Sequence, residues 1–437
     1  MKTFVAIVIT LLAIGCEKKV QPPSPVERSN AFYESLPLFQ RPLAQNQAVP
    51  AGLPDLRAET CGQCHTEIYA EWKISTHARA WEDDAQFMEE LHKSRTADGD
   101  VGWMCVNCHT PVSNQLPELV VSLRDGKLNA PEYVKNPAYD PVLQKEAITC
   151  ASCHVRDGHV LGPWGDQSNA PHAVKQDNTL LTEQICTRCH QAEAVFPEIN
   201  LGCFFDTGKQ WEASPAAKRG ETCQSCHMPA VDRPVAIQAG LKPRHTRRHW
   251  FGGSLIPKKP EFEAEIAPLR PIFGSGLEIS VNPAGGACKE LDDCMFATVA
   301  AMNAHAGHSV PTGDPERHVV IDITLRAGDE VIGTREMFLG SKYQWWPKIE
   351  KTSDTRVPAG EHASIRLELP KKPVTVEIVA HKYRMYEEAF NLHKLEGRYV
   401  RGREFHRSTW LVTPERVDLQ TLKDDTRNLD YTVENPQ

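Results

Sequence analysis

The chain changes its hydrophobic period near Gly313. Beyond that point Val319, Ile321, Ile323 and Leu325 alternate with Val320, Asp322, Thr324 and Arg326; residues 327–330 can turn and 331–338 can return. Ala363, Ile365, Leu367 and Leu369 alternate with Ser364, Arg366 and Glu368, and Val374, Val376, Ile378 and Ala380 repeat the pattern after Lys371-Lys372-Pro373. A period of two sends alternate side chains to one face. These segments therefore predict an antiparallel sheet, a small sandwich. The polar tail, residues 412–437, is expected to wrap the body.

Before Gly313 the periodicity is short-ranged. Ile68 and Trp72 lie four apart in Glu67-Ile68-Tyr69-Ala70-Glu71-Trp72-Lys73, and His77 and Trp81 repeat that interval, which predicts short helices with one covering face each. A segment over 116–123 can be helical only with Pro117 in its first turn. Residues 158–178 contain glycines and prolines without a sustained period and read as loop.

The N-terminus has a third pattern. Residues 4–14 are one apolar run behind Lys2, too short to span a bilayer, ending in Ala13-Ile14-Gly15-Cys16. That is the layout of an export signal closed by a lipoprotein box, with Cys16 as the acylated residue. Glu17 follows, rather than the aspartate associated with inner-membrane retention, so the expected address is the outer membrane, at its periplasmic face or the cell surface. Residues 17–58 are rich in Pro, Gln and Ser, as in Pro22-Pro23-Ser24-Pro25, and are expected to form a tether interrupted by a short helix near 31–36.

With 437 residues the chain is long enough for two or three domains, and its formal charge of −8 gives a whole-protein nucleic-acid role no electrostatic support. Lys242, Arg244, Arg247 and Arg248 form a local basic cluster, suited either to counter-charges for buried carboxylates or to partner docking.

Ten of the 14 cysteines fall in five copies of Cys-x-x-Cys-His: Cys61/Cys64/His65, Cys105/Cys108/His109, Cys150/Cys153/His154, Cys186/Cys189/His190 and Cys223/Cys226/His227. Each can bond two thiols to haem vinyl groups and set the next histidine beneath the iron. A zinc site needs paired knuckles and usually separates histidine from cysteine, and a redox dithiol has no reason to recur with an adjacent histidine. Five covalently bound haem c groups are therefore expected, which agrees with export. The expected organisation is a signal over 1–16, a tether over 17–58, a mainly helical and loop-rich pentahaem domain over 59–312, and a β-rich domain with its tail over 313–437. Cys288 and Cys294 are near enough for a disulfide, and Cys203 reads as a buried thiol.

Function turns on what faces each iron from the far side. A second histidine closes the iron and suits electron transfer, whereas an open side admits a small substrate. His77 lies too near His65 to serve the same iron but can serve another. His172, His308 with its competitor His305, and one of His245 and His249, with His249 preferred, are further candidates. His92 and His159 compete for the remaining iron. Met228 and Met104 follow or precede their motifs too closely to reach an opposite face. His318, His362, His381, His393 and His406 read as ordinary core or surface residues.

At these residues the sequence resembles exported multihaem c-type cytochromes of the tetrahaem cytochrome c and hydroxylamine oxidoreductase group. The likeness rests on Ile68-Tyr69-x-x-Trp72-x-x-Ser75-x-His77, Pro171-His172, Cys223-Gln-Ser-Cys226-His227-Met228-Pro229 followed by Arg248-His249, and Gly307-His308-x-x-Pro311-Thr312-Gly313 with Arg317. It covers roughly residues 60–385 and implies distal ligation by His77, His172, His249 and His308. No Cys-x-x-Cys-Lys variant of the ammonia-forming nitrite reductases is present. No catalytic residue is assigned.

The expected function is electron carriage across or along the cell envelope, with other cytochromes or an outer-membrane conduit as partners, a lipid anchor at Cys16, and self-association left open. The alternative is an oxidoreductase acting on a small nitrogen or sulfur compound at one five-coordinate haem. A third reading makes the C-terminal sheet a docking module, which exposed aromatics at Tyr343, Trp345 and Trp346 would fit, although core packing is the preferred reading of those three.

Overall fold

A computed structural model describes residues 21–96, 99–165, 169–196, 201–238 and 240–426. Cys16, the export signal and the last residues of the tail lie outside the described residues.

The motif-bearing body is built from short helices, turns and small hairpins. Each motif forms one helical turn: Gly102–His109, Cys150–His154, Gln184–His190 and Cys223–His227 end on their histidines, and His65 caps the N-terminus of the helix Thr66–Lys73. Helical spacing brings the two cysteines of a motif onto one face beside the following imidazole. Trp72 is buried and donates from Nε1 to the Ile148 carbonyl, 2.8 Å. His77 lies in the turn that follows, not on a helix. The segment over 116–123 forms a strand, Glu118–Leu123, paired with Pro131–Lys135. Its β-branched and leucine positions favour the pleated surface.

The stretch read as a tether is partly docked. Ser24 and Glu27 form a reciprocal capping box at the start of the helix Pro25–Glu34, and Tyr33, 1 % exposed, packs with Trp103 and Val120. Ala44 and Leu56 join a buried cluster with Val112, Leu143 and Ala151. Ser-Pro-x-Glu at a helix start is a local signal that outweighs the surrounding Pro and Gln content.

The C-terminal region is an antiparallel β-rich domain of two sheets. Leu277–Ala284, Cys294–Asn303 and His362–Pro370 form a three-stranded sheet. The six-stranded sheet runs, edge to edge, Glu350–Asp354, Glu330–Gln344, His318–Ala327, Val374–Tyr383, Gly402–Val412 and Val417–Asp424. One apolar core joins them, with Ile279, Val299, Ile321, Leu367 and Ile378 buried. The sandwich begins at Leu277 rather than 313, because Leu277, Ile279 and Val281 already alternate with Glu278, Ser280 and Asn282. Much of the supposed tail is strand, down to Asp424. Cys288 and Cys294 are disulfide-bonded. Tyr343 stacks between Phe204 and Trp345, while Trp346 is 75 % exposed.

The sandwich is fastened to the body at several points. Arg356 grips Asp206 with two bonds of 2.9 and 3.0 Å, and Thr207 meets Thr312 at 2.8 Å. Met385, Leu395 and Tyr399, between strands of the sandwich, pack against Ala85 at the start of the helix Ala85–Lys93. The motif-bearing body holds several small apolar clusters and the sandwich one extended core. That contrast fits a body whose interior is shaped around cofactors.

Candidate haem-binding site

A continuous cavity of about 2110 Å³ runs through the body, lined by residues of every Cys-x-x-Cys-His motif. Single small-molecule pockets span roughly 300–1,000 Å³, so this space is of a size for several large ligands.

Four imidazole pairs face each other around it. The ring centroids of His65 and His172 are 6.4 Å apart, His77 and His190 6.4 Å, His154 and His249 6.3 Å, and His227 and His308 6.1 Å. Two metal–nitrogen bonds of about 2 Å each, with the two ring radii, add to that separation. Each pair joins a motif histidine to one of the candidates His77, His172, His249 and His308.

The hydrogen bonds favour the same chemistry. His65 Nδ1 meets the Val235 carbonyl at 2.7 Å, His109 the Ala80 carbonyl at 2.7 Å and His154 the Leu161 carbonyl at 2.9 Å, and His227 meets that of Gly252. His249 and His308 bond Arg247 and Ser309 carbonyls, each at 2.9 Å. A carbonyl only accepts, so Nδ1 carries the proton and Nε2 keeps the lone pair a metal needs. Burial, helped by nearby imidazoles, lowers His77 to about 3; burial also takes His190, His249 and His308 to about 4. These rings are held neutral.

Local packing sets each distal candidate. Gly52, at φ +95°, lets the backbone of Pro171 and His172 approach so closely that an added Cβ would collide with the Pro171 carbonyl. Gln210 receives Ser309 N–H at 3.2 Å and Thr312 Oγ1 at 2.7 Å, holding the loop of His308. Glu71 on the helix Thr66–Lys73 binds Arg233, Arg248 and the His249 N–H. Phe251 packs on both His77 and His249. Sequence reading missed Glu71 and Gln210 because their roles exist only across elements.

His109 differs. Phe87 stacks on its ring at 3.5 Å and 4°, and among the described residues no histidine ring faces it. His92 and His159 are exposed and make no ring contact with a motif histidine, and His159 bonds the Asp157 carbonyl instead. His245 pairs with Asp232 and His305 with Glu278. His406 is buried between Asp424 and Ser408, and His318 lies among Phe338, Tyr383 and Tyr386.

The motifs also neighbour one another in a branched order. The Cys61 thiol interacts with Cys150, Cys108 with Cys189, and Cys186 with Cys223, and Cys153 lies within electrostatic reach of Cys189. The fourth motif thus neighbours the second, third and fifth, and the first joins through the third. Cys203 sits on the hairpin strand Leu201–Phe205, and burial pushes its thiol far up.

Fold and site together define a multihaem c-type cytochrome fold followed by a strand-rich domain. The family model for cytochrome c554 and c-prime matches residues 60–155, which hold the first three motifs and His77. The crystal structure of a penta-heme cytochrome c552 from Thermochromatium tepidum is similar over 83 % of this chain and 100 % of that one, at 17 % identity and a TM-score of 0.57. No curated protein matches the chain. Among the described residues no helix is long and apolar enough to cross a membrane.

Proposed function

We propose that the protein carries electrons through five covalently bound haem c groups, one at each motif. The observation that supports this reading is the set of four imidazole pairs, His65/His172, His77/His190, His154/His249 and His227/His308. When bound, the haems supply one-electron Fe(III)/Fe(II) couples. The chain's own residues would close both axial positions at four of them, keep the imidazoles neutral and exclude water, so that coordination stays constant between redox states. The branched order of the motifs makes the fourth the junction, with ends at the first, second and fifth. Donor and acceptor would be other cytochromes or an outer-membrane conduit. A lipid at Cys16 would hold the protein at the outer membrane. Pyridine haemochrome analysis with protein quantitation should return five haems per chain, and electron paramagnetic resonance should show at least four low-spin bis-histidine centres. Fewer of either sinks the reading.

A second reading is favoured by His109, which no histidine faces among the described residues. Its haem would offer an open iron to a small nitrogen or sulfur compound, making the protein an oxidoreductase with the other haems as electron supply. A single high-spin signal that changes with cyanide, nitrite or hydroxylamine is the expected result; a ligand-insensitive spectrum rules it out.

A further inference from the structure

The seam between the motif-bearing body and the sandwich gathers cations that lack carboxylate partners. Lys258 pairs with Asp84, Arg403 with Asp425 at 2.5 Å, and Arg270 with Glu263 at 2.5 Å, so those charges are offset where they stand. Arg317, Lys382 and Arg384 are different: among the described residues none of the three makes an ion pair. Arg317 reaches only the Thr312 carbonyl, at 3.3 Å. Arg384, 4 % exposed, donates from one guanidinium nitrogen to the Ile256 carbonyl, and its Nε is buried without a partner. Lys382 lies over the Phe405 ring at 5.7 Å.

All three line the large cavity; strand register pairs His318 with Tyr383 and Val319 with Lys382, so Arg317, Arg384 and Lys382 sit around one cross-strand pair, and Arg384 acts on both of the others. Burial first, and then Arg403, Arg270 and Arg384 acting against Asp425, bring the Lys382 ammonium down to about 7. Burial also lowers Arg317, and Arg384 adds to that. The nearest free carboxyls offer little offset, because burial pushes Asp314 up and Glu316 up to about 8. Enclosed like charges are tolerated only when something of opposite sign sits among them. The cluster adjoins two motifs: Arg317 acts on His190, and Arg317 and Arg384 both reach Asp84, whose pair with Lys258 acts on His109.

We propose that Arg317, Lys382 and Arg384 form an oxyanion-binding site at this seam, beside the second and fourth motifs. Planar guanidinium groups suit a carboxylate-like anion held by paired hydrogen bonds. Such an anion has two sources: a propionate of a resident haem, or a small oxyanion from solution. The inference rests on the haem-bearing reading, so haem stoichiometry is measured on every sample, and its failure is seen separately.

The test is the sign of a charge deletion in the holoprotein. Removing a cation that is paired with an anion leaves that anion uncompensated and lowers stability; removing one that is unpaired relieves repulsion and does not. Thermal unfolding is followed for wild type, Lys382→Met, Arg317→Gln and Lys382→Arg in sodium chloride, and in sodium acetate or sulfate at equal ionic strength. A midpoint several degrees lower for Lys382→Met and Arg317→Gln in chloride alone, with Lys382→Arg near wild type, assigns a resident carboxylate. A lower midpoint that appears only in acetate or sulfate, where the wild type gains stability, assigns a diffusible oxyanion. Midpoints unchanged or raised in every buffer overturn the proposal. If Lys382→Met accumulates no holoprotein, Arg317→Gln carries the same comparison.

Discussion

Removing the Glu71 side chain should cost both stability and one haem's axial ligation. Glu71 is 6 % exposed and Arg233 4 %, joined by bonds of 2.7 and 2.9 Å, and Arg248 adds a third at 2.6 Å. Burial opposes the charge of Glu71, but Arg233, Arg248 and the His249 N–H, 2.9 Å away, outweigh it and hold the carboxyl below its usual range. Breaking a buried pair by deleting one partner costs about 3–5 kcal/mol, because the other charge stays behind. Guanidinium unfolding of Glu71→Ala holoprotein, followed at the Soret band, should show a loss of that size, and Glu71→Gln a smaller one. With His249 no longer tied by its N–H, the centre shared by His154 and His249 should become partly high-spin and ligand-accessible in electron paramagnetic resonance. The folded carboxyl titrates below its unfolded value, so its contribution is full above the ordinary carboxylate range and is lost as pH falls through the folded value. The gap between variant and wild type should therefore close below about pH 4. A loss under about 1 kcal/mol, the scale of an exposed pair, with every low-spin signal intact, would refute the reasoning.

Three further outcomes follow from particular contacts. His172→Ala and His308→Ala should each convert one low-spin centre to a high-spin, carbon-monoxide-binding one, while His92→Ala and His159→Ala, exposed in the wild type, should leave that set of signals unchanged. Tyr33→Ala removes a buried ring packed near Trp103 and should cost about 3–5 kcal/mol locally, seen as faster proteolysis between residues 21 and 58 with haem content unchanged. Replacing Cys288 and Cys294 by serine opens a short loop and should lower the unfolding free energy by about 2 kcal/mol, with visible spectra unaltered, because the bridge lies in the sandwich.

Some elements were legible in the sequence because their causes are local. The alternation over 319–325 and 374–380 matches buried strand positions, since each apolar side chain needs only the period of its own strand to reach the core. The same signal was present at Leu277, Ile279 and Val281 but lay before the expected boundary. The capping box at Ser24 and Glu27 was equally local and was obscured by the Pro- and Gln-rich context. Asp424 shows the opposite case: its strand reads as polar tail, and its place is set by His406 across the sheet.

The same division runs through the site. A Cys-x-x-Cys-His motif is one contiguous turn, so sequence alone determines which two thiols and which imidazole stand side by side. Which imidazole faces that histidine was decided by tertiary structure. His77 meets His190, His172 meets His65, His249 meets His154 and His308 meets His227, partners distant along the chain and in no sequential order. The same packing sets Phe87, and no imidazole among the described residues, against His109. Attachment depends on spacing within a few residues, whereas an opposing ring must be delivered by loops whose positions depend on Gly52, Glu71, Gln210 and the docking of the sandwich. No local period encodes that arrangement.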